Sequence, residues 1–254
     1  YKTAVRTYKY GSMASVEEMA YDARQQGVAA ILIEPARWQE TPPNFLRQVK
    51  AWCEANRSLL IMDEMIYGLR RAMGGGSEYY GVTPDLAAFG KAIGNGVPIA
   101  CVVGNEALDL YGDLASGTYS GDAAALLAVL DVLKYYATEP VIETLWARGR
   151  MLADGLDQIV AMDGESGVVR EGAAVHQRLR FPTDEEGRMF AAAMAQRGVL
   201  WHPACCNVSY SHTEAQIAQV LSAAVSAFVI TMAHRRGKPH AAVTGVCVGE
   251  EVAI

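Results

Sequence analysis

The sequence predicts an α/β protein: a large N-terminal domain built on a mostly parallel sheet, followed by a smaller α+β domain. Two observations carry this. Between residues 29 and 63, two short apolar runs, each closed by an acidic residue, flank a segment of helical periodicity. From about Gly164 the pattern changes to short strands interleaved with helices. Boundaries drawn at that change give a large domain over 1–137, a small domain over 138–234 and an irregular tail over 235–254.

Taken in order, residues 15–26 read as a helix, with Ser15 as N-cap, Glu18 completing a capping box and Gly27 as the stop. Residues 29–33 form a short apolar strand closed by Glu34 and Pro35. A helix over 44–56, with Phe45, Leu46, Val49, Trp52 and Cys53 on one face, leads to a second apolar strand over 59–62 that ends at Asp63 and Glu64. Strand, helix, strand implies parallel pairing through a right-handed crossover. Glu34 and Asp63 then fall at carboxyl ends of strands, where open α/β sheets bind their ligands.

A glycine-rich loop (Gly74, Gly75, Gly76) precedes the segment 85–89, which runs into Gly90, Lys91, Gly94, Asn95 and Gly96 and then a strand-like stretch over 99–103. Helices are expected over 123–136 and 141–160. Strands follow over 167–170 and 175–181, then a helix over 184–196, a strand over 198–201 and a helix over 213–233.

Composition narrows the function classes. Of 254 residues, 51% are hydrophobic and 20% charged, and the formal net charge of −6 disfavours binding to a phosphate backbone, so no nucleic-acid partner is expected. The five cysteines match neither a zinc spacing nor a disulfide framework, which fits a reducing cytoplasm. No stretch reaches membrane-spanning length free of polar residues, residues 222–232 coming nearest, so no membrane association is expected. His202, His212 and His240 show no ligand spacing, and no metal site is expected. Tyr67, Tyr79 and Tyr80 read as core or interface aromatics, and Cys205–Cys206 as buried packing.

The chemistry concentrates around Lys91 and Asp63. A lysine that forms an imine must let its backbone approach the partner closely, which flanking glycines permit. An acid at a neighbouring strand end can pair with a protonated pyridine nitrogen and keep that ring an electron sink. Each residue alone has a plainer reading, the lysine as a surface-loop residue and the aspartate as a helix cap; the combination is what points to pyridoxal 5'-phosphate chemistry. Arg37 and Trp38, after Glu34, leave open a surface salt bridge or a substrate-carboxylate contact.

The run LLIMDEMIYGLRRAMGGGSEYYGVTPDLAAFGKAIGNGVPIACVVG resembles the cofactor-binding core of the class III pyridoxal-phosphate-dependent aminotransferases, nearest to the glutamate-1-semialdehyde 2,1-aminomutase group. The family pattern D-E-V-x-x-G-F-R, G-V-x-P-D and G-K-x-x-G-G-G-x-P reads here as DEMIYGLR, GVTPD and GKAIGNGVP. The likeness extends to AAILIEP upstream and to SGTYSGDAAALLAVLDVL and GVLWHPACCNVSYSHTEAQIAQVL downstream. Three departures stand out: Asn95 within the triple glycine, Leu69 in place of phenylalanine, and Asp122-Ala123 in place of Asn-Pro.

This resemblance implies a fold-type-I transferase that moves amino groups, with Lys91 as the Schiff-base lysine and proton shuttle and Asp63 as the pyridinium partner. It implies Met65 against one ring face, and Gly117 and Thr118 at the phosphate, Thr118 reaching across a homodimer interface. Glu34, with Arg37 beside it, would face a small-molecule amine and its keto or aldehyde counterpart. The stretch EPARWQETPP differs from the mutase's EPVAGN, which directs the expectation toward other amines, amino sugars among them. An aminomutase is the first alternative and a catalytically silent subunit the second. The family's N-terminal phosphate loop and ring-stacking aromatic have no counterpart in these 254 residues, so a longer polypeptide or a separate chain is expected to supply them.

Overall fold

The computed structural model describes residues 5–22, 27–36, 38–108 and 117–237. The chain divides into two compact units, with the boundary between Ile142 and Glu143.

The first unit is built on a four-stranded sheet in the order β1 (Ala30–Ile33), β2 (Leu59–Asp63), β3 (Leu86–Phe89), β4 (Cys101–Gly104). The first two pairings are parallel and the third antiparallel, so the sheet is mostly parallel, as the sequence predicts. Helix α1 (Met13–Asp22) starts two residues before the expected N-cap. The capping oxygen is that of Ser12, which accepts from the Ser15 N–H at 3.3 Å, while the Ser15 hydroxyl turns back to accept from Lys9 N–H at 2.9 Å. Residues 23–26 lie outside the described residues.

Helix α2 (Phe45–Asn56) lays Phe45, Leu46, Val49 and Cys53 into a core shared with Ile31, Ile33, Leu60 and Met62. Strands β1 and β2 bury alternate residues only, and β4 buries none. Leu32 on β1 and Val102 and Val103 on β4 are exposed, so β1 is not the fully buried strand that its apolar composition suggests. Asp85 ties the sheet together, accepting from Leu60 N–H at 2.7 Å and from Lys50 Nζ at 2.9 Å. The expected glycine-rich loop is in part a helix: Gly74 is the N-cap of α3 (Gly75–Tyr80). Helix α4 (Ala123–Thr138) is N-capped by Asp122, whose Oδ1 accepts from Ala125 N–H at 2.9 Å.

The second unit contains α5 (Val141–Ala161, whose first two residues precede the boundary), the hairpin β5 (Val169–Ala173) and β6 (His176–Arg180), α6 (Asp184–Ala195) and α7 (Glu214–Arg235). Capping boxes at Thr183 and Thr213 start α6 and α7. The core gathers Leu152, Leu156, Leu179, Phe190, Trp201 and Phe228, with the rings of Phe190 and Trp201 edge-to-face at 5.6 Å. The strand expected over 198–201 does not form; Trp201 serves the core instead, and the extended pairing falls later, where Gln177 and Cys206 exchange backbone hydrogen bonds. At 22 residues α7 is long and apolar enough to cross a membrane by length and composition, more than the 222–232 window suggests; here Ile217, Ala224, Phe228 and Met232 pack into the core of this unit. The tail from 238 onward, His240 included, lies outside the described residues.

Candidate functional site

The parallel register gathers the candidate residues at one edge of the sheet. Ile33 pairs with Met62 and Asp63 with Ala88, so Glu34, Asp63 and the Gly90–Lys91 step follow the carboxyl ends of three adjacent strands. The β2–β3 ladder runs one step further, with Glu64 N–H donating to the Ala88 carbonyl at 2.9 Å.

After β3 the chain turns sharply. Gly90 is extended, Lys91 takes a left-handed φ of 48°, and residues Lys91–Ile93 form one 3₁₀ turn. Met65 lies against this turn: a Cβ on Gly90 would sit 2.4 Å from Met65 Cε and 2.7 Å from its Sδ. The loop after β2 therefore touches the backbone that carries Lys91. Asp63 Oδ1 accepts from Met65 N–H at 3.0 Å. Beyond that bond, no protein partner engages the Asp63 carboxylate among the described residues, and none engages the Lys91 ammonium, which is exposed.

An open cavity of about 1080 Å³ beside β4 is lined by Met65, Phe89, Val102, Gly117 and Thr118, among others. It brings together three of the candidates, Met65, Gly117 and Thr118. Asp63, Lys91 and Glu34 are not part of its lining, and Arg37 lies outside the described residues.

Side chains to which the sequence reading gave no role hold the strand-end loops. Glu64 is fully buried and accepts from Gly76 N–H (2.8 Å), Ser77 N–H (2.7 Å) and the Ser77 hydroxyl (2.6 Å). Arg71, shut off from solvent, makes a two-pronged ion pair with Glu40 at 2.9 and 3.0 Å and donates to the Tyr80 hydroxyl at 2.7 Å. Its guanidinium also stands about 5 Å from the ring centres of Tyr67 and Tyr79. Burial pushes the Glu40 carboxyl up, but the hydrogen bonds from Arg71 and Tyr80 and the charge of Arg71 outweigh it and hold the group below its ordinary value. On the other side of the loop, Tyr10 donates to the Pro35 carbonyl at 2.9 Å and meets Thr41 Oγ1 at 2.8 Å, and burial pushes its phenol up to about 12. Glu64 had a visible signal, an acid next to Asp63 and upstream of three glycines. The Glu40–Arg71 pairing, across 31 residues of sequence, had none.

Comparison with known proteins places this geometry. The chain is 36% identical over 161 residues to a glutamate-1-semialdehyde 2,1-aminomutase of Methanococcoides burtonii and 35% identical over 164 residues to that of Ruminiclostridium cellulolyticum. These matches cover 60% and 61% of this chain but 38% of each relative. Among solved structures, the pyridoxal-phosphate internal aldimine form of the FumI protein of Sphingopyxis sp. MTA144 superposes with a TM-score of 0.83 at 27% identity, over 94% of this chain and 60% of that one. An omega-transaminase from Sphaerobacter thermophilus, at 22% identity and a TM-score of 0.79, shares the fold over 88% of this chain and 56% of its own. The chain thus spans less than two thirds of the relatives it matches. The architecture is that of part of a fold-type-I transferase domain, and the sequence profile of the class-III aminotransferases matches residues 6–228: the chain belongs to the class-III aminotransferase family.

Proposed function

We propose that this chain is the lysine-bearing part of a pyridoxal-phosphate enzyme that transfers an amino group on a small amine, amino-acid or amino-sugar substrate. The carrying observation is the register. It sets Asp63 and Lys91 at the ends of adjacent strands, with Met65 bonded to Asp63 and packed on Gly90, and among the described residues it leaves the ammonium and most of the carboxylate without protein partners.

The donor set fits pyridoxal phosphate. Lys91 Nζ supplies the amine for covalent attachment, Asp63 the negative charge for a protonated ring nitrogen, and Met65 an apolar surface for one ring face. Gly117 and Thr118, at the rim of the cavity beside β4, are the candidates for the phosphate. When bound, the group supplies an electrophilic carbon and an electron-accepting ring. Asp63 would keep a proton on the ring nitrogen, and Lys91 Nζ would carry a proton to and from substrate carbon. Glu34, which follows the carboxyl end of β1, is the candidate for the substrate side, and Arg37 is a candidate for that role from its sequence position alone.

The reading includes a homodimer in the cytoplasm; the partial span of the relatives supports a further part of it, that residues outside these 254, in a longer polypeptide or a separate chain, supply the remaining phosphate ligands. The names of the curated relatives favour a second reading, an aminomutase, which returns the amino group to the same carbon skeleton and needs no separate donor. A catalytically silent subunit is the outcome in which nothing is trapped.

The test is borohydride reduction in the presence of pyridoxal phosphate, with mass analysis of the peptide containing Lys91. The parent protein should carry the reduced adduct on Lys91, and Lys91→Ala should lose it while keeping its fold. An undiminished adduct in Lys91→Ala would overturn the assignment.

A further inference from the structure

Glu64 stands next to Asp63 but points the other way, into the protein, and every polar group it owns is engaged. Its N–H donates to Ala88 at 2.9 Å and its carbonyl accepts from Gly68 N–H at 2.8 Å. Its carboxylate takes the Gly76 and Ser77 N–H groups and the Ser77 hydroxyl at the start of α3. Two of those three are backbone N–H groups, which can only donate, and an acceptor-only carboxylate satisfies them.

The surrounding glycines make room for this arrangement. A Cβ on Gly75 would lie 2.3 Å from Glu64 Oε2, and one on Gly68 would lie 2.7 Å from the Glu64 carbonyl oxygen. A Cβ on Gly76 would lie 2.5 Å from the ring of Pro35, the residue after Glu34. The start of α3 therefore holds both strand-end loops, that of β2 through the Glu64 carboxylate and that of β1 through close packing on Pro35.

We propose that Glu64 is a positioning residue that fixes the direction of the Asp63 carboxylate by clamping the peptide after it to the start of α3. The inference rests on the pyridoxal-phosphate reading for what Asp63 points at, but not for the coupling between the two acids. With Glu64 bound at its N–H, carbonyl and carboxylate, the Asp63–Glu64 peptide cannot rotate, and the Met65 N–H stays on Asp63 Oδ1. Glutamine at 64 keeps the shape but turns an NH₂ toward one of the donors, so one end of the clamp opens.

The experiment compares the parent, Glu64→Gln, Ser77→Ala and Asp63→Asn by two readouts. The first is amide hydrogen exchange at Met65, with the β5–β6 hairpin of the second unit as internal reference. The second is the visible absorption of bound pyridoxal phosphate against pH, which reports the state of the ring nitrogen. Glu64→Gln should speed exchange at Met65 about tenfold or more relative to the hairpin and shift the absorption profile in the direction of Asp63→Asn. Ser77→Ala, which removes one donor and leaves both backbone N–H groups, should give a smaller shift of the same sign and decides the matter if Glu64→Gln does not fold. Lower melting temperature with Met65 exchange and absorption profile unchanged would overturn the inference, since a merely structural glutamate behaves that way. If the parent traps no pyridoxal phosphate, the functional reading fails, and Met65 exchange still decides the coupling.

Discussion

Glu40→Gln tests how the loop after β1 is held in place. Losing one partner of a fully buried ion pair costs about 3–5 kcal/mol, because the other charge is left without compensation. Arg71 is shut off from water, but the Glu40 side chain is 58% exposed, so solvent already screens that end of the pair. Glutamine also keeps one acceptor for the fork, and the aromatic faces of Tyr67 and Tyr79 remain. The expected loss is therefore about 1–2 kcal/mol near neutral pH. The Glu40 carboxyl is held below its ordinary value of 4.5 in the fold. Its contribution is thus fully present above the unfolded value and is lost as pH falls through the folded one. The difference between parent and variant should shrink toward zero in acid. Urea titration followed by labelling of Cys53, a thiol buried in the core of the first unit, with a dipyridyl disulfide that reacts in acid isolates this unit from the second. A loss at neutral pH that does not shrink at all as the pH falls below 4.5, where Glu40 gains its proton first in the unfolded chain and then in the fold, would refute the ion-pair account.

Asp63→Asn keeps the shape of the side chain and its bond from Met65 N–H but removes the charge. The Lys91 adduct should still form while single-turnover amine transfer slows by about two orders of magnitude or more, and near-normal turnover would assign the ring nitrogen to another acid. Phe190→Ala removes a fully buried ring from between Phe181 and Trp201 and should destabilise the second unit by about 3–5 kcal/mol. Hydrogen exchange should show that loss across α6 and α7, with the β1–β2 ladder unchanged; equal loosening of both would mean that the two units unfold together.

Strands β1, β2 and β4 and the longer helices were legible because their signals are local, short apolar runs and a one-faced stripe in α2, whereas β3 was not read as a strand and α3 was read as a loop. Legibility failed where tertiary partners decide. Ser15 has the right spacing to Glu18 for a capping box, yet Ser12 wins the cap because Ser15 is needed by Lys9. Residues 198–201 have strand composition, but Trp201 is drawn into the core by Phe190. At the site, Asp63 and Lys91 stand out in the motif, whereas the contacts that hold the neighbouring loops depend on partners distant in sequence. Glu64 differs from an ordinary surface acid only through the α3 donors that meet it, and Arg71 only through Glu40.

The same physical view accounts for the local backbone at the three departures from the family pattern. Asn95 stands where the pattern has glycine, at a left-handed φ of 44°, and asparagine is among the few side chains that tolerate that region. Leu69 replaces phenylalanine at φ 57°, a costlier conformation for a leucine, and its carbonyl is held there by the Tyr136 hydroxyl at 2.6 Å. Asp122 replaces asparagine as the N-cap of α4 and makes the same type of bond, its Oδ1 accepting from Ala125 N–H. Ala123, in place of proline, gives up a preset φ at the first helical position. In each case the motif specifies a backbone conformation or a capping oxygen rather than a particular side chain. Substitutions that preserve those features are compatible with the turn that carries Lys91 after β3 and with the cap of α4.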